Sequence, residues 1–283
     1  MSIQIPEITK VDLTTKSSMI FHSSFQCSYL WLPLIGLVVG LLGSMIGGGG
    51  GFVFPPALIL LFKVPAHIAV ATSLAATLPI CLVGAAGHYR KGNLDLRTGL
   101  KFGMAGIIGA LSGTLIAGLL TPAQLKDTFG IYIILLSVLM IFNHYKDKRK
   151  PKVQKDQKSR IKITPIPRGS FYGFSGGVIS GTFGTSGTAP VLAGLLAIKL
   201  PLKLVAGTSL MVIFINTVSA LTGHLILGVI DFTLVLFLTA GTIIGAITGP
   251  RLTASLIFTK RERLIRQTFV YLMLGFGIIM IIS

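Results

Sequence analysis

The stretch SMIGGGGGFVFPPALILLFKVP, Ser44 to Pro65, sets five consecutive glycines, Gly47 to Gly51, between two apolar runs. Leu30 to Ile46 lies upstream, and the arm downstream, Phe52 to Phe62, has 11 residues, enough for about 16 Å of helix or roughly half a bilayer. A second stretch, SGTFGTSGTAPVLAGLLAIKLP, Ser180 to Pro201, follows the same plan: Gly169 to Thr182 runs into Gly184-Thr185-Ser186-Gly187, and the arm Ala189 to Ile198 follows. Unwound backbone at membrane depth survives only where protein or a water-filled space satisfies its N–H and C=O groups. Both breaks are therefore expected to face an internal pathway.

The two stretches belong to one repeat. A shift of 136 residues lays Ser44 on Ser180, Gly48 on Gly184, Gly51 on Gly187, Lys63 on Lys199, Pro65 on Pro201 and Thr72-Ser73-Leu74 on Thr208-Ser209-Leu210. In the same register Gly87-His88 meets Gly223-His224, Gly92 meets Gly228, Asp95 meets Asp231, and Ile107-Ile108-Gly109-Ala110 meets Ile243-Ile244-Gly245-Ala246. Duplicated halves of this kind build many secondary transporters.

Composition places the repeat in a bilayer. Of 283 residues 52% are hydrophobic and 12% charged, against about 25% charged in soluble domains, and the mean hydropathy is +0.83. A water-soluble globule is excluded. Long apolar stretches recur at 66–87, 98–120, 128–143, 201–223, 231–250 and 267–283, several of them long enough to span. Residues 1–29 read as an N-terminal tail; Met1 to Phe25 lack the basic start and apolar core of a signal peptide. Repeats over 30–143 and 169–283 flank a basic linker, 144–168. Cys27 and Cys81 form neither a CxxC pair nor a zinc set, so no metal or other cofactor is expected.

The net charge of +17 would suggest a nucleic-acid partner in a soluble chain; here it sets orientation. If each broken stretch is a hairpin of two embedded arms, each half has five segments and the halves are inverted. With the linker inside, twenty basic residues fall on that side: Arg90, Lys91 and Arg97, ten in the linker, Lys199 and Lys203, and Arg251, Lys260, Arg261, Arg263 and Arg266. Only Lys10, Lys16, Lys63 and Lys126 fall outside, with Lys101 inside a helix start. If each broken stretch crosses once, the split becomes fifteen to nine, so the positive-inside rule favours hairpins. The expected fold is an all-α polytopic membrane protein of two inverted five-segment repeats, about ten membrane-embedded helices, each repeat beginning with a glycine-interrupted half-length hairpin. The linker would be cytoplasmic and both termini outside.

In such a pair the arms after the breaks aim their N-termini at a common centre. Free N–H groups and the positive end of the helix dipole suit an anion, and glycine lets the backbone approach it closely. The candidate substrate-binding residues are Gly48, Gly49, Gly50, Gly51, Phe52, Thr72, Ser73, Gly184, Thr185, Ser186, Gly187, Thr188, Thr208 and Ser209, with Ser44 as a further hydroxyl. Three small-residue pairs, Gly36/Gly40, Gly109/Gly113 and Gly245/Gly249, read instead as helix packing. No Asp or Glu falls within a span, and Asp95 and Asp231 read as N-caps, which disfavours coupling through a buried carboxylate. His88 and His224, at helix ends, are candidates for gating or proton sensing, against the plainer reading of interfacial histidines with satisfied partners. Lys63 and Lys199 can attract anions to the mouths or snorkel to headgroups. Arg251 to Gln267 reads as an amphipathic surface stretch for anionic lipid.

The combination of Gly47 to Gly51, Pro55, Pro65, Ala69, Thr72-Ser73-Leu74 and His88-Tyr89-Arg90-Lys91-Gly92-Asn93-Leu94-Asp95 resembles the TauE/SafE family of membrane permeases, often called sulfite exporters, over nearly all of the chain from Leu30. The resemblance implies movement, mainly export, of a sulfur-containing anion such as sulfite, a sulfonate or sulfoacetate across a prokaryotic plasma membrane. In the second break Thr182, Thr185, Ser186 and Thr188 stand where the family usually carries more glycine, which adds side-chain donors. A transporter working by alternating access is expected, and not an enzyme, since Tyr89, His88 and Arg90 make no nucleophile, base and orienter set. The alternative is a non-transporting membrane scaffold that binds lipid or protein through the basic linker.

Overall fold

The computed structural model describes residues 27–46, 51–147, 166–227, 230–253 and 270–282. After a 3-10 turn, Cys27–Trp31, come α1 (Leu32–Ile46), α2 (Phe54–Leu61), α3 (Ala66–Arg90), α4 (Leu96–Leu119), α5 (Pro122–Asp147), α6 (Ile166–Phe183), α7 (Thr188–Ala197), α8 (Leu202–Ile226) and α9 (Phe232–Thr253). A last apolar helix, α10, covers Val270–Ile282. The described residues are helical with no strand among them, and four helices, α3, α4, α5 and α8, are each long and apolar enough to cross a membrane. The tail before residue 27, Gly47 to Gly50, most of the basic linker and most of Arg251 to Gln267 lie outside the described residues.

Helix boundaries follow the repeat: α3 and α8 have the same length, 25 residues, and their first residues, Ala66 and Leu202, are equivalent, as are Leu96 and Phe232, which open α4 and α9. Asp95 accepts from Arg97 N–H (3.1 Å) and Thr98 N–H (3.3 Å) at the start of α4. Asp231 accepts from Thr233 N–H (2.9 Å) and Leu234 N–H (3.2 Å) at the start of α9. Both carboxylates are helix caps, satisfying donors that a first turn otherwise leaves open.

The half-length arms α2 and α7 stop in one way. Lys63 and Lys199 have φ of 52° and 57°, in the left-handed region, followed by buried Val64 or Leu200 and then Pro65 or Pro201, which caps the next long helix. At α7 this is a Schellman stop, with Leu200 N–H to Leu195 C=O (3.1 Å) and Lys199 N–H to Leu196 C=O (2.9 Å). The exposed lysines are therefore backbone punctuation whatever their charge does. A side chain at positive φ is strained, so Lys199→Gly is expected to raise stability by about 0.5–1 kcal/mol, read as a higher thermal-unfolding midpoint in detergent micelles.

The most extensive helix pairings are α4 with α6 and α1 with α9. Exchange of equivalent helices turns one pair into the other, and each joins the two halves. Both seams are made of glycine against carbonyl. A Cβ on Gly173, Gly177 or Gly181 would collide with the C=O of Phe102, Gly106 or Ala110, and one on Gly109 or Gly113 with the C=O of Phe174 or Val178. In the other seam Gly36 abuts Leu238 C=O, a Cβ on Gly40 would lie 2.6 Å from Thr242 C=O, and Gly241 and Gly245 abut Pro33 and Leu37 C=O. Such approach gains dispersion and Cα–H···O contacts that a bilayer interior does not weaken. The packing expected of Gly36/Gly40, Gly109/Gly113 and Gly245 is what the helices show; the surroundings of Gly249 lie outside the description.

These contacts also give directions. Along α4, residues 102, 106 and 110 meet 173, 177 and 181 of α6, so the two run parallel. Gly99 meets Met211, Gly103 meets Ile215 and Gly118 meets Leu227, so α8 also runs with α4. In contrast α7 folds back along α6, with Gly187 against Gly176 and Gly194 against Tyr172.

Candidate functional site

At the C-terminal end of α6 the chain unwinds before α7 begins. Gly184 and Gly187 both have left-handed φ, 65° and 55°, and neither has room for a side chain. A Cβ on Gly184 would lie 2.6 Å from Val70 C=O in α3, and one on Gly187 would strike Gly176 C=O. The turn Phe183 to Gly187 is thus clamped between α3 and α6, and α7 starts from it at Thr188.

The first break reaches this turn. The Cβ position of Gly51 lies 2.8 Å from Ser186 N, 3.1 Å from Ser186 Oγ and 3.2 Å from Thr77 Oγ1. Gly51, Ser186 and Thr77 therefore meet near the middle of α3, at the level where α4 touches α6 and α8. Gly48, Gly49 and Gly50 lie outside the described residues, as do the surroundings of Ser44. Phe52 packs beside the meeting point with Phe129, Tyr132 and Phe183, whose rings stack at 5.1–6.4 Å with interplanar angles of 16–22°.

The hydroxyls divide by what their protons do. Thr188 Oγ1 donates to Ser186 Oγ (3.0 Å), Ser73 Oγ to Ala69 C=O (2.6 Å), Thr77 Oγ1 to Ser73 C=O (2.7 Å) and Ser209 Oγ to Ala206 C=O (2.9 Å). In contrast the side-chain oxygens of Thr72, Thr185, Ser180 and Thr217 are buried with no partner. Such a group costs about 1–3 kcal/mol when sealed from water.

Not every expected residue arrives. Thr208 sits at the α3–α4 corner, where its Oγ1 accepts from Asp95 N–H (2.9 Å); there it joins two helices away from the Gly51–Ser186 contact. His224, in the last turn of α8, is 3% exposed, and its Nε2–H donates to Gly181 C=O (2.7 Å), tying α8 to α6. Its equivalent His88 is half-buried at the opposite end of the bundle, with its Nδ1 unpartnered.

Asn216 lies beside Gly106 and Gly176 and carried no signal in the repeat, where its counterpart is Ile80. It is fully buried on α8, wedged against Gly106 of α4. With its amide oriented to satisfy both partners, the oxygen accepts from Gly177 N–H (3.3 Å) and the nitrogen donates to Val212 C=O (3.2 Å). A lone buried amide among apolar neighbours was its one available clue.

Among the described residues, no charged side chain lies at this depth. Every described Asp, Lys and Arg lies within six residues of a helix end or in a connection. Arg90, Lys91, Arg97, Lys101, Lys199 and Lys203 gather at the end where α4 and α8 begin, and Lys63 and Lys126 lie at the other. Among the described residues, the groups at this depth are N–H groups, hydroxyls and the Asn216 amide.

Residues 32–280 match the family described as Sulfite exporter TauE/SafE. The chain is 31% identical over 221 residues to the probable membrane transporter protein YdhB of Bacillus subtilis, covering 78% of this chain and 86% of that one. It is 26% identical to the probable membrane transporter protein YunE of the same organism, over 78% and 87%, and 29% identical to the probable membrane transporter protein MJ0441 of Methanocaldococcus jannaschii, over 69% and 73%. No solved structure matches the chain. A helical bundle with four helices long and apolar enough to cross a membrane thus has its relatives among probable membrane transporters, and the chain belongs to the TauE/SafE family.

Proposed function

We propose that this multi-pass transporter moves a small sulfur-containing anion, such as sulfite or an organosulfonate, across a prokaryotic plasma membrane by alternating access at the meeting point of the two breaks. The observation that carries the reading is the approach of Gly51 to Ser186, which joins breaks from both halves at mid-depth. The inverted arrangement draws support from helix direction. α8 runs with α4 and α3 connects to α4 through a short turn, so α3 and its equivalent α8 run oppositely. The fold-back of α7 along α6 supports a hairpin over a single crossing.

The end carrying six described cations is read as cytoplasmic, with the basic linker, and both termini as outside. An inside-negative potential then drives an anion outward by about 2.3 kcal/mol per charge per 100 mV, so export needs no buried carboxylate. The unit reading is two repeats, 30–143 and 169–283, around linker 144–168, with Arg251 to Gln267 on anionic lipid. His88 and His224 remain gating candidates in this scheme, His224 through its hold on α6.

The test is flux of labelled sulfite or a labelled sulfonate in proteoliposomes of the purified chain. Flux above protein-free vesicles is expected, and a variant lacking part of Lys148 to Lys158 is expected to retain it. No flux with any sulfur oxyanion overturns the reading. Loss of function on linker deletion with the bundle intact favours the scaffold alternative.

A further inference from the structure

We propose that the mid-depth site selects by charge number, holding singly charged oxyanions and rejecting doubly charged ones of similar size; this rests on the site assigned above. Thr72, Ser180, Thr185 and Thr217 are fully buried, and none of their hydroxyl oxygens has a partner. They come from four segments of the bundle, α3, α6, the second break and α8. Their level is shared. Ser180 adjoins Gly181, which touches the middle of α4 at Ala110; Thr217 adjoins Asn216, which touches Gly106; and Thr72 lies two residues beyond Val70, on which Gly184 is seated.

A small oxyanion meets four open O–H groups with lone pairs, and its oxygens suit several donors at once. Yet every donor here is a neutral dipole, and among the described residues no Lys or Arg lies at this depth. That sets a limit on charge. The attraction of an ion to fixed dipoles rises in proportion to its charge, whereas the cost of taking it from water rises with the square. From a monoanion to a dianion the gain about doubles and the cost rises about fourfold. A guanidinium or ammonium group in the site would make up part of the difference. The described cations gather at the two ends of the bundle, away from this depth. For a ligand that titrates between the two forms, binding strengthens as pH falls through its second ionisation.

Methanesulfonate and sulfate share an S–O head and differ in charge, so calorimetric titration of each into the purified full chain in micelles at neutral pH reads the selection. Methanesulfonate is expected to bind at least about tenfold more tightly. Thr185→Val and Thr217→Val keep side-chain shape and remove the hydroxyl. Each is expected to weaken methanesulfonate binding about threefold or more without lowering the thermal-unfolding midpoint, since the lost hydroxyl had no partner in the empty protein. Sulfate binding as tightly as methanesulfonate overturns charge selection and leaves the site standing. Valine variants that bind as wild type overturn the role of these hydroxyls. Binding of neither anion, with no flux of any sulfur oxyanion, removes the site and the proposal together.

Discussion

Gly177→Leu is expected to leave no folded protein. The Cβ of any larger residue at 177 would overlap Gly106 C=O and lie 2.7 Å from Ala110 N, both of them backbone atoms that cannot turn aside. One turn to either side, Gly173 and Gly181 stand equally close to Phe102 and Ala110 C=O. The seam therefore has no slack at either end into which α4 and α6 could slide. Overpacking a dense core costs about 1–3 kcal/mol where side chains can move; here two helix backbones must separate, and a domain has only about 5–15 kcal/mol to lose. The bilayer offers no compensation, because lipid tails are as apolar as the helices and the seam is held by contact alone. Size-exclusion chromatography of a fluorescent fusion should show an aggregate or no peak. Gly275→Leu is the control: nothing lies within 4 Å of its Cβ position, and a monodisperse peak is expected. A monodisperse Gly177→Leu would show that α4 and α6 do not pack in this way.

The same seam marks what one sequence can and cannot disclose. Apolar length located α3, α4, α5 and α8, and the 136-residue repeat located the second break and both Asp caps, because each of these features is local to its own stretch of chain. Small residues at four-residue spacing identified Gly36/Gly40 and Gly109/Gly113 as packing surfaces, since glycine spacing along one helix is also local. The partner is not. That α4 pairs with α6, and α1 with α9, depends on which carbonyl lies opposite each glycine, and no pattern within either helix encodes it. Thr208 shows the same gap: its repeat partner Thr72 has an open hydroxyl, while Thr208 is committed to Asp95 N–H from a distant turn. Asn216 and the Phe129–Tyr132–Phe183 stack were missed because the reading favoured what both halves share, and these residues belong to one half or to a contact between helices. Lys63 and Lys199 were read by charge; their left-handed backbone shows that the repeat retained them at helix stops, a role glycine fills more cheaply.

Gly51→Val is expected to cut anion flux by about two orders of magnitude in protein that still folds. The new side chain would enter the space now held by Ser186 N at 2.8 Å, Ser186 Oγ at 3.1 Å and Thr77 Oγ1 at 3.2 Å. The Ser186 backbone cannot retreat freely, since Gly184 and Gly187 on either side of it are already seated against Val70 and Gly176. Valine must therefore push the first break away from the second. The stability cost stays near the 1–3 kcal/mol of an overpacked site, because Gly51 takes no part in the α1–α9 or α4–α6 seams. The transport cost is larger. Misplacing a binding geometry by about 1 Å loses about a hundredfold where oriented donors carry the work. Ser186→Leu attacks the same contact from the other half and is expected to match it. Gly87→Val is the control, on α3 with nothing within 4 Å of its Cβ position. Proteoliposome flux and the thermal-unfolding midpoint, measured together on all three, separate the cases. Wild-type flux in folded Gly51→Val or Ser186→Leu would place the pathway away from the meeting of the breaks; lost flux with a midpoint within a few degrees of wild type would tie transport to that contact.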